Sequence, residues 1–213
     1  MCIRDRVFGA SDRALAQIRE MSDEILSAGK VPVMLGGEHL VSLGAIQAAA
    51  ARYPDLHIIH FDAHTDLRDD YLGERLSHAS VMRRAWDILG DGRIHQFGIR
   101  SGDASEFRWA PGHVHLHKFD FAGLADTVAA IGRAPVYFTL DLDVLDPSIF
   151  PGTGTPEAGG VSFTALLEAI LTIAPLNIIA FDMNELSPVY DSSGTSTAVA
   201  CKLLREMLLA FWK

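Results

Sequence analysis

His57-Ile58-Ile59-His60-Phe61-Asp62-Ala63-His64-Thr65-Asp66 is a short apolar run that ends in three ligand-type side chains at alternate positions. A run of this length bounded by polar residues reads as a buried strand. Its continuation puts Asp62, His64 and Asp66 on one side of an extended segment just past the strand end. Working outward, the same unit recurs. Residues 31–35 are apolar and close on Gly36-Gly37, and further apolar runs lie at 94–99, 136–140 and 178–181. Between them fall stretches with helical character. Leu15, Ile18, Met21, Ile25 and Leu26 recur at helical spacing over about 12–28, with Ser11 or Asp12 as a cap and Gly29 as a stop. Further helices are expected at about 39–51, 79–89, 121–131, 163–174 and 196–211. Strands alternating with helices predict an α/β fold, a three-layer α/β/α arrangement around a mostly parallel sheet.

The 213 residues, 49% of them hydrophobic, suit one sizeable core, so residues 1–213 are expected to form a single domain. Eighteen basic residues against 27 acidic ones give a net charge of -9. That balance argues against a sequence-blind nucleic-acid binder and fits a soluble enzyme able to draw in cations, while the charge alone selects no substrate. No apolar run is long enough to span a bilayer and no secretion signal opens the chain, so the expectation is no membrane and a cytoplasmic location. Cys2 and Cys201 form neither a disulfide framework nor a CxxC pair. Residues 1–6, Met-Cys-Ile-Arg-Asp-Arg, lead into nothing that follows and read as foreign sequence at a truncated start.

The chemistry gathers at three strand ends. Besides Asp62, His64 and Asp66, Asp141 and Asp143 alternate past a second run, and His39 follows the Gly36-Gly37 turn after a third. In parallel α/β sheets this edge is where ligands bind. Four carboxylates crowded there would repel unless cations offset them. Two divalent ions balance four such charges, share carboxylates, and can generate a nucleophile at neutral pH. Oxygen-rich ligation with two imidazoles and no thiolate favours Mn(II), although cobalt, iron or nickel could use the same groups. A single-metal site, or aspartates that only cap helices, would use the same residues. His113, His115 and His117 also alternate but lack an acidic companion, and read as one face of a strand or an edge loop. His60 lies deeper in its strand and reads as a hydrogen-bonded core residue. Arg100 reads as a structural ion-pair partner. Asp182 reads as a hydrogen-bonding one, and Glu157 faces either pocket or solvent.

Leu35-Gly36-Gly37-Glu38-His39, Asp62-Ala63-His64-Thr65-Asp66 and Asp141-Leu142-Asp143-Val144-Leu145-Asp146-Pro147 together resemble the three metal-binding motifs of the ureohydrolases, the arginases and agmatinases. The resemblance runs from about residue 12 to the C-terminus. Pro151-Gly152-Thr153-Gly154-Thr155-Pro156 and Leu76-Ser77-His78 are closer to the agmatinase pattern than to the arginase one. It implies two Mn2+ ions, one held by His39, Asp62, Asp66 and Asp141 and the other by Asp62, His64, Asp141 and Asp143, with Asp62 and Asp141 bridging. The implied reaction is hydrolysis at a guanidinium carbon by a metal-bridging hydroxide, with agmatine and water giving putrescine and urea. Arginine and guanidinobutyrate are the alternative substrates within the family, and a non-catalytic metal-binding fragment is the alternative outside it. His78 matches the histidine that carries a proton to the departing amine, a role suited to a group titrating near neutrality. Glu185 matches the glutamate that grips the guanidinium through charge-assisted bonds. The resemblance further implies a homo-oligomer, and a segment before the first helix, with its own strand, that this sequence does not contain.

Overall fold

In the computed structural model, which describes residues 11–212, seven α-helices alternate with six strands. In chain order these are α1 (Ser11–Ser27), β1 (Val33–Leu35), α2 (Val41–Arg52), β2 (His57–Phe61), α3 (Val81–Leu89), β3 (Ile94–Ile99), α4 (Ala104–Trp109), β4 (His115–Lys118), α5 (Leu124–Ile131), β5 (Pro135–Asp141), α6 (Phe163–Ile173), β6 (Asn177–Asn184) and α7 (Thr195–Phe211). The strands form one sheet in the order β1-β6-β5-β2-β3-β4, and every pairing is parallel. The reading of residues 1–6 as foreign sequence lies outside the described residues.

Side-chain parity divides the core in two. Ile59, Phe61, Val136, Phe138 and Leu140 face one hydrophobic cluster, built with residues of α5, α6 and α7. Ile58, Tyr137 and Ile179 face the other, built with α1, α2 and α3. Both faces of the sheet are therefore covered, as parallel sheets require. The α1 helix lies closely on α2, so closely that a side chain at Gly44 would run into the Leu15 carbonyl 2.7 Å away.

Chain direction reverses between two neighbouring strands. After β2 the chain moves toward β3 and β4, and after β5 it moves the other way, to β6. The crevice above the carboxyl ends of β2 and β5 is thus the topological switch point where such sheets bind ligands. Phe61 pairs with Leu140, so Asp62 and Asp141 leave the sheet side by side. At the far end, β1 pairs only with β6 among the described residues, and Val33 and Leu35 are exposed.

One helix is additional to those read from the sequence, and two of the three alternating histidines fall on an edge strand, as read. Residues 104–109 form α4, started by a reciprocal cap in which Asp103 and Glu106 each accept from the other's backbone end. Residues 115–118 form edge strand β4, where His115 stacks on His95 and His117 on Phe97. His113 lies before that strand and pairs with Asp91.

Candidate metal centre

Each of the six ligand-type residues arrives on its own backbone device. His39 stands at the start of α2, just beyond the tight passage at Gly36, where any Cβ would lie 2.2 Å from Asn184 Oδ1. Asp62 and His64 extend β2, and the Asp62 Oδ1 accepts the His64 backbone N–H at 2.6 Å. Asp66 follows with a left-handed φ of 53°. Asp141 ends β5 and caps a single 3-10 turn, its Oδ1 accepting from the Asp143 N–H at 2.9 Å. Asp143 sits within that turn and its Oδ1 accepts from the Ala63 N–H, which ties the two acidic loops together.

Five of these residues, joined by His60, converge into two groups that share one member. Ligand atoms of His39, His60, Asp62 and Asp66 lie within 4.8 Å of one another, and so do those of Asp62, His64 and Asp143. The Asp141 Oδ2 adjoins the first group, 3.3 Å from His39 Nδ1. All except His64 are almost fully buried.

Hydrogen bonding fixes which way His39 presents its ring. Thr139 Oγ1 donates to Asp182, so at its 2.9 Å contact with His39 Nε2 the threonine oxygen must accept. The proton at that contact is therefore on Nε2, and Nδ1 is the nitrogen turned toward the acidic residues; burial opposes charge on the ring, yet their carboxylates raise the imidazole well above its ordinary value. That nitrogen is buried without a hydrogen-bond partner, facing carboxylate oxygens of Asp66, Asp62 and Asp141 at 3.0, 3.1 and 3.3 Å. An imidazole nitrogen and three carboxylates gathered around a common point could hold a cation in place of protons, so a divalent metal fits here on the chemistry of the donor set.

The electrostatics agree. Burial, then the charges of Asp143 and Asp62, pushes the Asp141 carboxyl well above its ordinary range. Burial and Asp62 likewise raise Asp66 and Asp143. Burial would raise Asp62 too, but His60, His39 and His64 outweigh it and hold that carboxyl well below the usual value. Burial opposes charge on His64, yet Asp143 and Asp62 push it up to about 12. Without cations the cluster balances itself by holding protons, and metal ions would compete for the same lone pairs.

A cavity of about 500 Å³ opens onto this cluster, and both remaining sequence candidates line it. Glu185 has a left-handed φ of 65°, a strained backbone held in place by its surroundings. Its Oε1 accepts from the His39 backbone N–H at 2.8 Å, and burial raises its carboxyl to about 7. His78 opens a 3-10 turn at the cavity mouth, half-exposed. Glu38 lies 3.5 Å from its Nδ1 and raises the imidazole above its ordinary value against the opposing effect of burial, while Tyr71 packs against the ring.

Arg100 corrects the sequence reading. Among the described residues it makes no ion pair; its guanidinium donates to backbone carbonyls of Gly98, Asp143, Val144, Leu145 and Glu157, so it clamps the acidic loop after β5 to the loop bearing Glu157. Glu157 turns its carboxylate toward Ser101 Oγ at 2.9 Å. Asp182 is fully buried and accepts from Tyr137, Thr139 and Asn184, as a structural partner should. Sequence reasoning missed Glu106, a buried acid that accepts from Thr65 Oγ1 and the Leu67 N–H and so shapes the loop carrying Asp66. The reciprocal cap spacing Asp103–Glu106 is the signal that could have found it. Glu38 was also missed as a partner of His78, although it adjoins His39.

A family model described as Arginase matches residues 4–210. An agmatinase from Bacillus anthracis is 47% identical over 210 residues, covering 97% of this chain and 72% of the relative. A guanidinobutyrase from Pseudomonas aeruginosa is 34% identical, covering 92% of this chain and 65% of its own. The crystal structure of the agmatine ureohydrolase of Thermoplasma volcanium superposes with a TM-score of 0.86 at 34% identity, covering 95% of this chain and 69% of that one. With its ligand-type residues at the switch point of an all-parallel sheet and a family match over nearly its full length, the chain belongs to the arginase family.

Proposed function

We propose that the protein is a dinuclear Mn2+ amidinohydrolase that converts agmatine and water to putrescine and urea. The observation that carries the metal reading is Asp62, one carboxylate common to two ligand groups, beside a buried histidine nitrogen that faces three carboxylates. His39, Asp62, Asp66 and Asp141 would hold one ion, and Asp62, His64, Asp141 and Asp143 the other. When bound, such a pair of ions supplies a water nucleophile that is deprotonated at neutral pH.

The chain's own residues supply the rest. Glu185 keeps one oxygen on the His39 N–H and turns the other to the cavity, where it can accept from a guanidinium N–H. Burial limits water's competition for that bond and so strengthens it. His78, oriented by Glu38, carries a proton at the cavity mouth and can deliver it to the departing amine. The cavity wall also bears Glu38 and Asp103, against one arginine, Arg68, that is itself paired with Asp103. Agmatine is cationic at both ends, and this charge balance supports it over a guanidino acid. The 47% identity to an agmatinase supports the same choice.

Guanidinobutyrate is the second reading, because Arg68 in the cavity is a carboxylate partner and a guanidinobutyrase is among the relatives. Urea release from agmatine, guanidinobutyrate and arginine, compared after Mn2+ loading, separates them. Agmatine should be turned over fastest. A clear preference for either of the others would sink the agmatine assignment.

A further inference from the structure

Two histidines crowd Asp62 and Asp66, and by proximity alone His60 belongs to the first ligand group as much as His39 does. The rings lie 5.1 Å apart, and His60 Nε2 approaches Asp62 Oδ2 at 2.7 Å. What separates them is the partner behind each ring.

Behind His60 stands Gln96, its register partner on β3, fully buried like His60 itself. Gln96 Nε2 lies 2.7 Å from the Thr65 carbonyl oxygen and 2.9 Å from His60 Nδ1. A carbonyl oxygen only accepts, so the group facing it must be the amide NH2, and the side chain cannot be turned over. Its oxygen, Oε1, is left buried without a partner among the described residues, a cost that the reversed orientation would have avoided only by setting two oxygens against each other. With one amide N–H on Thr65 and the other aimed at His60, Nδ1 must accept. The ring proton therefore sits on Nε2, the nitrogen that faces Asp62.

We propose that Gln96 and His60 are positioning residues of the metal centre, Gln96 holding His60 as the Nε2–H tautomer so that His60 donates to Asp62 and is not a metal ligand. His39 is turned the other way, its Nε2–H pointing back to Thr139 and its Nδ1 pointing in among the carboxylates. Asp62 is then gripped at both oxygens, Oδ2 by His60 and Oδ1 by the His64 N–H, and its remaining lone pairs are aimed rather than free to rotate. Outer partners of this kind orient a ligating carboxylate and typically govern metal affinity by roughly 10- to 100-fold.

This rests on the dinuclear reading above, and the experiment separates the two. The imidazole 15N–1H NMR spectrum of the metal-free wild-type protein at mildly alkaline pH, with the His60 signals identified by their loss in His60→Gln, reports the tautomer directly. The Nε2–H form is expected, and an Nδ1–H form overturns the proposal. Mn2+ affinity is read from the free-ion EPR signal. Gln96→Leu and His60→Gln should each weaken binding roughly 10-fold or more, and the double variant should lose no more than His60→Gln alone, because Gln96 acts through His60. Additive losses, a Gln96→Leu variant that binds like wild type, or a His60→Gln variant that loses one whole ion while Gln96→Leu keeps both would each overturn it. Wild-type protein that takes up fewer than two ions would instead overturn the dinuclear reading, and this proposal with it.

Discussion

Replacing Glu185 by glutamine changes one atom and inverts the chemistry of one position. The Oε1 of Glu185 is committed to the His39 backbone N–H at 2.8 Å. A glutamine oxygen can keep that bond, which leaves the amide NH2, and not an acceptor, facing the cavity. A guanidinium would meet a donor where it now meets a carboxylate oxygen. Losing a hydrogen bond to a charged group costs about 1.5–3 kcal/mol, which corresponds to roughly 10- to 150-fold in affinity. The assay is inhibition by guanidinium together with KM for agmatine, on protein checked for two bound Mn2+. Glu185→Gln should weaken both by that factor with metal content unchanged. A variant within about twofold of wild type for guanidinium, with both ions in place, would refute the placement of Glu185. Stability moves the other way. Burial raises the folded-state carboxyl to about 7, above the ordinary 4.5 of the unfolded chain. From pH 4.5 to 7 the folded state binds more protons than the unfolded one, so this group lowers stability as pH rises. Metal-free Glu185→Gln should therefore be more stable than metal-free wild type at pH 8, with the difference vanishing below pH 4.5. Urea denaturation checks it.

Three further outcomes follow from the structure. Arg100→Met removes the guanidinium from five carbonyl oxygens, and taking the two shortest of its bonds, 2.7 Å to Asp143 O and 2.8 Å to Glu157 O, as charge-assisted gives a loss of about 3 kcal/mol; a loss under about 1 kcal/mol by urea denaturation would show that the clamp is replaceable. Burial, then His115, His57 and His117, lowers His95 to about 3, so between pH 6.5 and 3 the unfolded chain holds a proton that the folded chain lacks and stability falls as pH falls. Removing that imidazole with His95→Asn should flatten the acid side of the stability profile by about 1.4 kcal/mol per pH unit, and parallel wild-type and variant profiles would contradict it. Asp62→Asn should weaken the binding of both Mn2+ ions, whereas Asp143→Asn should weaken one, as metal analysis after dialysis reads; equal losses would count against a shared carboxylate.

Much of this was legible in the sequence for a physical reason. Apolar runs such as 57–61 and 136–140 are buried on both faces, so strand and burial leave the same mark. Ligand residues at alternate positions past those runs had one edge of the sheet to go to. Strand order was not legible, because it depends on which faces the helices cover. Arg100 was misread because its partners are main-chain carbonyls, which every residue carries and no pattern advertises. Glu106 was passed over since an acid in a polar stretch looks solvated until a loop folds over it. The short α4 lacks the apolar periodicity of longer helices, and only its cap spacing marks it. No helix among the described residues is long and apolar enough to cross a membrane.

The three residues of β1 carry a consequence for what a metal centre would do to the sheet. Asp62 and Asp141 leave strands that are paired on both sides, while His39 follows a strand bonded, among the described residues, to β6 alone. Opening of a sheet starts where the fewest bonds must break. An ion held by His39 together with Asp62 and Asp141 would tie this least-bonded strand to the centre of the sheet, so amide exchange in β1 should slow when Mn2+ is added.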